Sequence, residues 1–152
     1  MIRHLAYLAL LCLLAGCREA PPEPYLRLRD PAPAALAMPA GQAQLVALWA
    51  SWCGPCVAEA PALRALAADP PEGVDRVAIL VVDEPPEQAR RTFPGVTILE
   101  DPDGDLAAEL RAEALPVAFL IRGPGLVARF EGARAWDEKP ARRTLTRLVA
   151  GP

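Results

Sequence analysis

Two cysteines three residues apart, Cys53 and Cys56, stand directly after an uninterrupted apolar run, Leu45-Val46-Ala47-Leu48-Trp49-Ala50. Such a run reads as a buried strand, and the Cys-Gly-Pro-Cys that follows reads as the opening of a helix, where proline removes a donor that has no partner anyway. The first thiol then sits at a helix N-terminus, where unpaired N–H groups and the helix dipole favour thiolate over thiol. The second lies one turn on, on the same helix face and within disulfide reach. The pair therefore reads as a dithiol/disulfide redox centre.

Counting donors narrows the alternatives. A zinc site takes about four nitrogen or sulfur ligands, but the other cysteines, Cys12 and Cys17, and the single histidine, His4, all lie near the N-terminus. Haem attachment would need C-x-x-C-H, and Val57 follows Cys56. Copper delivery through a spaced cysteine pair fails for the same lack of histidine, so no metal is expected. A structural staple stays open as the bland reading, although so short a loop contributes little chain entropy.

Met1-Ile2-Arg3-His4 is a short basic segment, and Leu5 to Ala15 is apolar. That stretch is too short to span a bilayer and suits a signal peptide. It closes on Leu14-Ala15-Gly16-Cys17, which resembles a bacterial lipobox and implies cleavage after residue 16 and lipidation of Cys17. An ordinary secretory signal or an uncleaved anchor is the alternative. Two or more acyl chains on Cys17 would make a stable membrane anchor, and export would place the Cys53/Cys56 pair outside the cytosolic thiol pools. Residues 17–43 are proline-rich and read as a tether with room for a short strand at Tyr25–Arg29. The formal net charge of −3 argues against a nucleic-acid or polybasic membrane surface.

From residue 44 to 152 strand and helix signals alternate. Helices are expected from Cys53 or Pro55 to Ala68, over Glu87–Thr92, over Asp105–Arg111 and from Asp137 to Val149; Pro61 interrupts the first. Strands are expected at Val77–Val82, Val96–Leu99, Val117–Ile121 and Leu126–Glu131, the last two joined at Gly123-Pro124-Gly125. The order β-α-β-α-β-α-β-β-α implies an α/β sandwich around a mixed sheet.

Three segments resemble the thioredoxin superfamily, and within it the exported, membrane-tethered TlpA/ResA-like branch. Leu48-Trp49-Ala50-Ser51-Trp52-Cys53-Gly54-Pro55-Cys56 is close to F-W-A-x-W-C-x-P-C, Glu59-Ala60-Pro61 matches the branch's E-x-P, and Leu115-Pro116-Val117-Ala118-Phe119-Leu120-Ile121 resembles x-P-T-x-F-L-I-D. The resemblance implies a thioredoxin-like three-layer sandwich with a mixed central β-sheet flanked by helices. It implies Cys53 as nucleophile, Cys56 as resolving thiol, and no cofactor beyond the Cys53–Cys56 disulfide. It also implies a cis Pro116 beside the sulfurs, with the Leu115 backbone offered to an extended substrate. Trp52 would shield the site and form a docking surface, while Gly54 and Pro55 bias the dithiol against the disulfide. Trp49 reads as core.

The chain departs from thioredoxin proper at Ala47, where an acid would stand. Glu59, three residues past Cys56, is the candidate proton acceptor for Cys56 if buried; a solvated helix glutamate is the other reading. The expected activity is reduction of disulfides in exported proteins such as apocytochrome c, by a monomer recharged by a DsbD- or CcdA-type transmembrane electron donor. The rival is a non-catalytic lipoprotein that uses the same scaffold for binding.

Overall fold

The structure, a computed structural model, describes residues 25–151. The leader 1–16, Cys17 and residues 18–24 lie outside the described residues. Strand β1 is Leu26–Arg27, and β2, Ala43–Trp49, is buried at every position. Strands β3 (Arg76–Val82), β4 (Thr97–Asp101), β5 (Val117–Arg122) and β6 (Gly125–Glu131) complete one sheet in the order β1-β6-β5-β2-β3-β4. Strands β2, β3 and β4 run parallel, while β5, β6 and β1 pair antiparallel. The fold is the mixed-sheet α/β sandwich that the sequence implied.

Because side chains alternate across a strand, β2 feeds two cores. Leu45, Ala47 and Trp49 face helices α1 (Gly54–Ala68), α2 (Glu87–Thr92) and α4 (Lys139–Ala150), together with Phe93, Leu145 and Leu148. Val46 and Leu48 face Leu36, Phe119, and Ala107 of α3 (Asp105–Glu109). Burial on both faces explains why the central strands read as continuous apolar runs.

Two helices differ in extent from the sequence reading. Helix α3 ends at Glu109 because Arg111, at φ +53, adopts the left-handed conformation, with Arg111 and Ala112 N–H groups donating back to Ala108 and Ala107. That is a Schellman ending with arginine where glycine is usual. Helix α4 begins at Lys139 rather than Asp137, since Pro140 fits only the first turn. At the β5–β6 hairpin Gly123 supplies the positive φ that a two-residue turn requires.

From Tyr25 onward the chain already packs on the domain. Strand β1 pairs with Arg129 and Ala128 of β6, and Leu36 is fully buried. The buried Gln44 side chain locks this segment down: its Nε2 donates to the Leu36 carbonyl at 2.6 Å, and its Oε1 accepts from Arg76 Nε and Nη2 at 2.9 and 2.7 Å. Gln44→Ala leaves a buried carbonyl and a guanidinium short of partners and should cost about 1–3 kcal/mol in urea unfolding.

Candidate active site

Helix α1 starts where β2 delivers the chain to the end of the sheet. Cys53 is its N-cap, with Sγ accepting from the Cys56 N–H at 3.3 Å, and Gly54 and Pro55 form the exposed opening of the helix. Cys53 and Cys56 are joined in a disulfide. Both cysteines are buried, Cys53 at 7 % exposed and Cys56 at 1 %. Cys53, the N-cap, is the less buried of the two.

Three contacts hold the redox turn. Cys53 N–H donates to the Ala50 carbonyl at 3.2 Å. The Trp49 indole N–H donates to the Cys56 carbonyl at 3.1 Å while its ring packs edge-on against Phe93. Ser51 donates through its backbone N–H and its hydroxyl to the Glu84 carboxylate, at 2.6 and 2.5 Å. Trp49 is thus core, as read from the sequence, and also a tether for the first helical turn.

The Leu115–Pro116 peptide bond is cis. The last β2–β5 pair is Leu48 with Val117, so one further step sets Pro116 level with Trp49, at the sheet end that carries the redox turn. The Pro116 carbonyl accepts from the Gly132 N–H at 2.9 Å. Leu115, half-buried, packs against the cluster that contains both cysteines. Trp52, 62 % exposed, and Val57, 47 % exposed, are large apolar side chains left at the surface on either side of the pair in sequence.

Glu59 belongs to the same buried helix face as Cys56 and is only 6 % exposed, which decides for the buried reading. Its Oε1 accepts a hydrogen bond from the Trp136 indole N–H. Its Oε2 has no hydrogen-bond partner among the described residues. Burial pushes the carboxyl up from 4.5 to about 7, with Trp136, the Arg134 backbone amide and the Arg134 guanidinium acting in the opposite direction. Ala47 belongs to the core cluster that Cys56 joins, and Glu59 is a buried acid of the same helix as Cys56.

Cys53, Gly54, Pro55, Cys56 and Glu59 belong to helix α1 and its N-cap, Trp52 directly precedes them, and Leu115 and Pro116 lie at the same end of the sheet; the proposed lipidation site Cys17 lies outside the described residues. Sequence reasoning missed Trp136, Glu84 and Val57. A tryptophan in an otherwise polar loop was the one available signal for the first, since a buried indole N–H needs an acceptor; nothing local named Glu59, 77 residues away.

Residues 20–131 match the family model described as Redoxin. Among curated proteins, the chain is 37 % identical over 91 residues to the thiol:disulfide interchange protein DsbE homolog of Paracoccus denitrificans, covering 55 % of this chain and 47 % of that one. It is 30 % identical over 105 residues to the thiol-disulfide oxidoreductase ResA of Oceanobacillus iheyensis, covering 64 % and 53 %. The chain thus spans about half the length of these relatives. A structure from Chlorobium tepidum, described as a thiol:disulfide interchange protein DsbE, shares the fold with a TM-score of 0.64 at 24 % identity, covering 82 % of this chain and 99 % of that one.

Proposed function

Since the chain belongs to the Redoxin family, we propose that it is a thiol–disulfide oxidoreductase that reduces disulfides of exported proteins outside the cytosol. The observation that carries this reading is the placing of the redox pair: a Cys53–Cys56 disulfide at the N-terminus of a helix, with Cys53 as the N-cap and the less buried of the two. The names of the relatives above, for thiol:disulfide interchange, support the same chemistry.

In the reduced protein the Cys53 thiolate attacks one sulfur of a substrate disulfide. A Cys53–substrate bond forms, the substrate S–S bond breaks, and the leaving thiolate takes a proton. Cys56 then loses its proton, with Glu59 as acceptor, and attacks Cys53 Sγ. The Cys53–Cys56 disulfide forms and the second substrate sulfur leaves as thiol. Two electrons pass from the protein dithiol to the substrate disulfide. Trp52, Leu115 and Pro116 provide the surface on which an extended segment lies, and Gly54 and Pro55 shape the turn between the sulfurs. No metal or other cofactor takes part.

Recharging needs a dithiol donor, for which a transmembrane protein of DsbD or CcdA type is the fitting class. Apocytochrome c, with its own exported cysteine pair, is a fitting substrate. The lipobox-like Leu14-Ala15-Gly16-Cys17 supports attachment to the membrane through Cys17. The test is insulin-disulfide reduction with the intact chain. Wild type should accelerate it and Cys53→Ser should fall to background; equal rates, or none in either, would favour a binding module instead.

A further inference from the structure

We propose that Trp136 is a positioning residue for the resolving step: its indole N–H holds Glu59 Oε1 and thereby leaves Oε2 free to take the Cys56 proton. The inference rests on the oxidoreductase reading above. Trp136 lies in the loop between β6 and α4, fully buried, its ring edge-on to Phe130 with centroids 5.3 Å apart. That packing fixes the ring, and with it the direction of the one donor an indole has. Glu59 receives that donor through Oε1 while Oε2, equally buried, has no hydrogen-bond partner among the described residues. A buried carboxylate oxygen without a partner is costly, and such a site persists where the free oxygen has a task. Cys56 and Glu59 are three apart on one buried helix face, a spacing that places side chains about 5–6 Å apart at Cβ.

Cys56 comes from its own helix and Arg134 from the Trp136 loop, its backbone amide a second hydrogen-bond donor to the Glu59 carboxyl and its guanidinium resting over the Phe130 ring. The strands behind contribute Ala47, Trp49 and Phe130 to the adjoining core, and none of these titrates. Trp136 and Arg134 both favour the ionised carboxylate against the effect of burial. Without the indole donor, Glu59 should hold its proton to higher pH and serve as base less often near neutrality.

The decay of the Cys53 mixed disulfide tests this. Reduced full-length protein reacts with a peptide disulfide in single turnover, and acid-quenched samples are counted by mass across pH 5–9. In wild type the resolution rate should rise with a midpoint near that of Glu59. Trp136→Phe should move that midpoint up by about 1 pH unit, the scale of one hydrogen bond to a charged group, and slow resolution roughly fivefold at pH 7. Glu59→Gln should remove the midpoint, and adding Trp136→Phe to it should then change nothing further. An unmoved midpoint, or an equal loss in both backgrounds, would make Trp136 a packing residue only and overturn the inference.

A second measurement needs no variant at Trp136. In the unmutated protein, the Trp136 indole N–H resonance should titrate with the midpoint of the resolution rate and lose that titration in Glu59→Gln. A resonance that stays fixed from pH 5 to 9 overturns the proposal even if Trp136→Phe does not fold. Failure to form any mixed disulfide in wild type would instead refute the oxidoreductase reading itself.

Discussion

Cys56→Ser should convert the proposed reductant into a trap. Cys53 remains at the helix N-terminus with its access unchanged, so it still attacks a disulfide, but the buried position beneath it now holds a hydroxyl that cannot displace the substrate sulfur. The mixed disulfide should therefore accumulate to near-stoichiometric yield, while catalytic turnover falls to background. Cells that express this variant with Cys17 intact should give covalent complexes on non-reducing gels that disappear on reduction, and their mass spectra would identify the clients. The double variant Cys53→Ser/Cys56→Ser should give none. The contrast follows from the N-cap position of Cys53 and the deeper burial of Cys56, 7 % against 1 % exposed: if complexes formed through residue 53 were absent and Cys56 reacted in Cys53→Ser instead, the assignment of nucleophile would be reversed.

Glu59 should make the oxidised protein less stable as the solution turns from acid to neutral. Its carboxyl titrates near 7 in the fold, against 4.5 for an ordinary glutamate. Between those values the unfolded chain has released the proton and the folded chain still holds it. The native state thus binds more protons, and unfolding free energy falls with rising pH. The contribution is fully present below about pH 4.5, declines through the window, and is lost above 7. At about 1.36 kcal/mol per pH unit the total is roughly 3 kcal/mol. Urea unfolding of the oxidised protein at pH 5 and pH 8 measures it, and Glu59→Gln isolates it. The wild type should lose roughly 2–3 kcal/mol more than the variant over that interval, since part of the contribution is already gone at pH 5; a difference near zero would mean that the carboxyl is ionised in the fold at ordinary pH. The same burial that weakens the neutral-pH fold suits the proton-acceptor role proposed for Glu59, a cost of the kind expected at functional sites.

Much of the architecture was legible in one dimension because its signals are local. A strand buried on both faces is an apolar run, as over Leu45–Ala50, and the hairpin announces itself as Gly123-Pro124-Gly125. Helix ends were read less well: Arg111 closes α3 in a conformation that glycine usually provides, and the start of α4 turns on where Pro140 can sit. Gln44 escaped notice for a related reason. A polar residue at the head of an apolar run looks like a boundary, and only the arrival of Leu36 and Arg76, from distant parts of the chain, makes it a buried junction.

The redox pair, its helix N-terminus and its apolar neighbours were determined by the sequence alone, since two thiols three residues apart after a strand need nothing distant to define them. Tertiary structure decided the rest. It chose the buried state of Glu59, because burial is set by what packs against a helix rather than by the residue itself. It set the Leu115–Pro116 bend at the sheet end that bears Cys53, through the pairing of β5 with β2. And it joined Trp136 to Glu59 across 77 residues, a contact that depends on how β6 and its following loop fold over α1 and that no spacing along the chain could reveal.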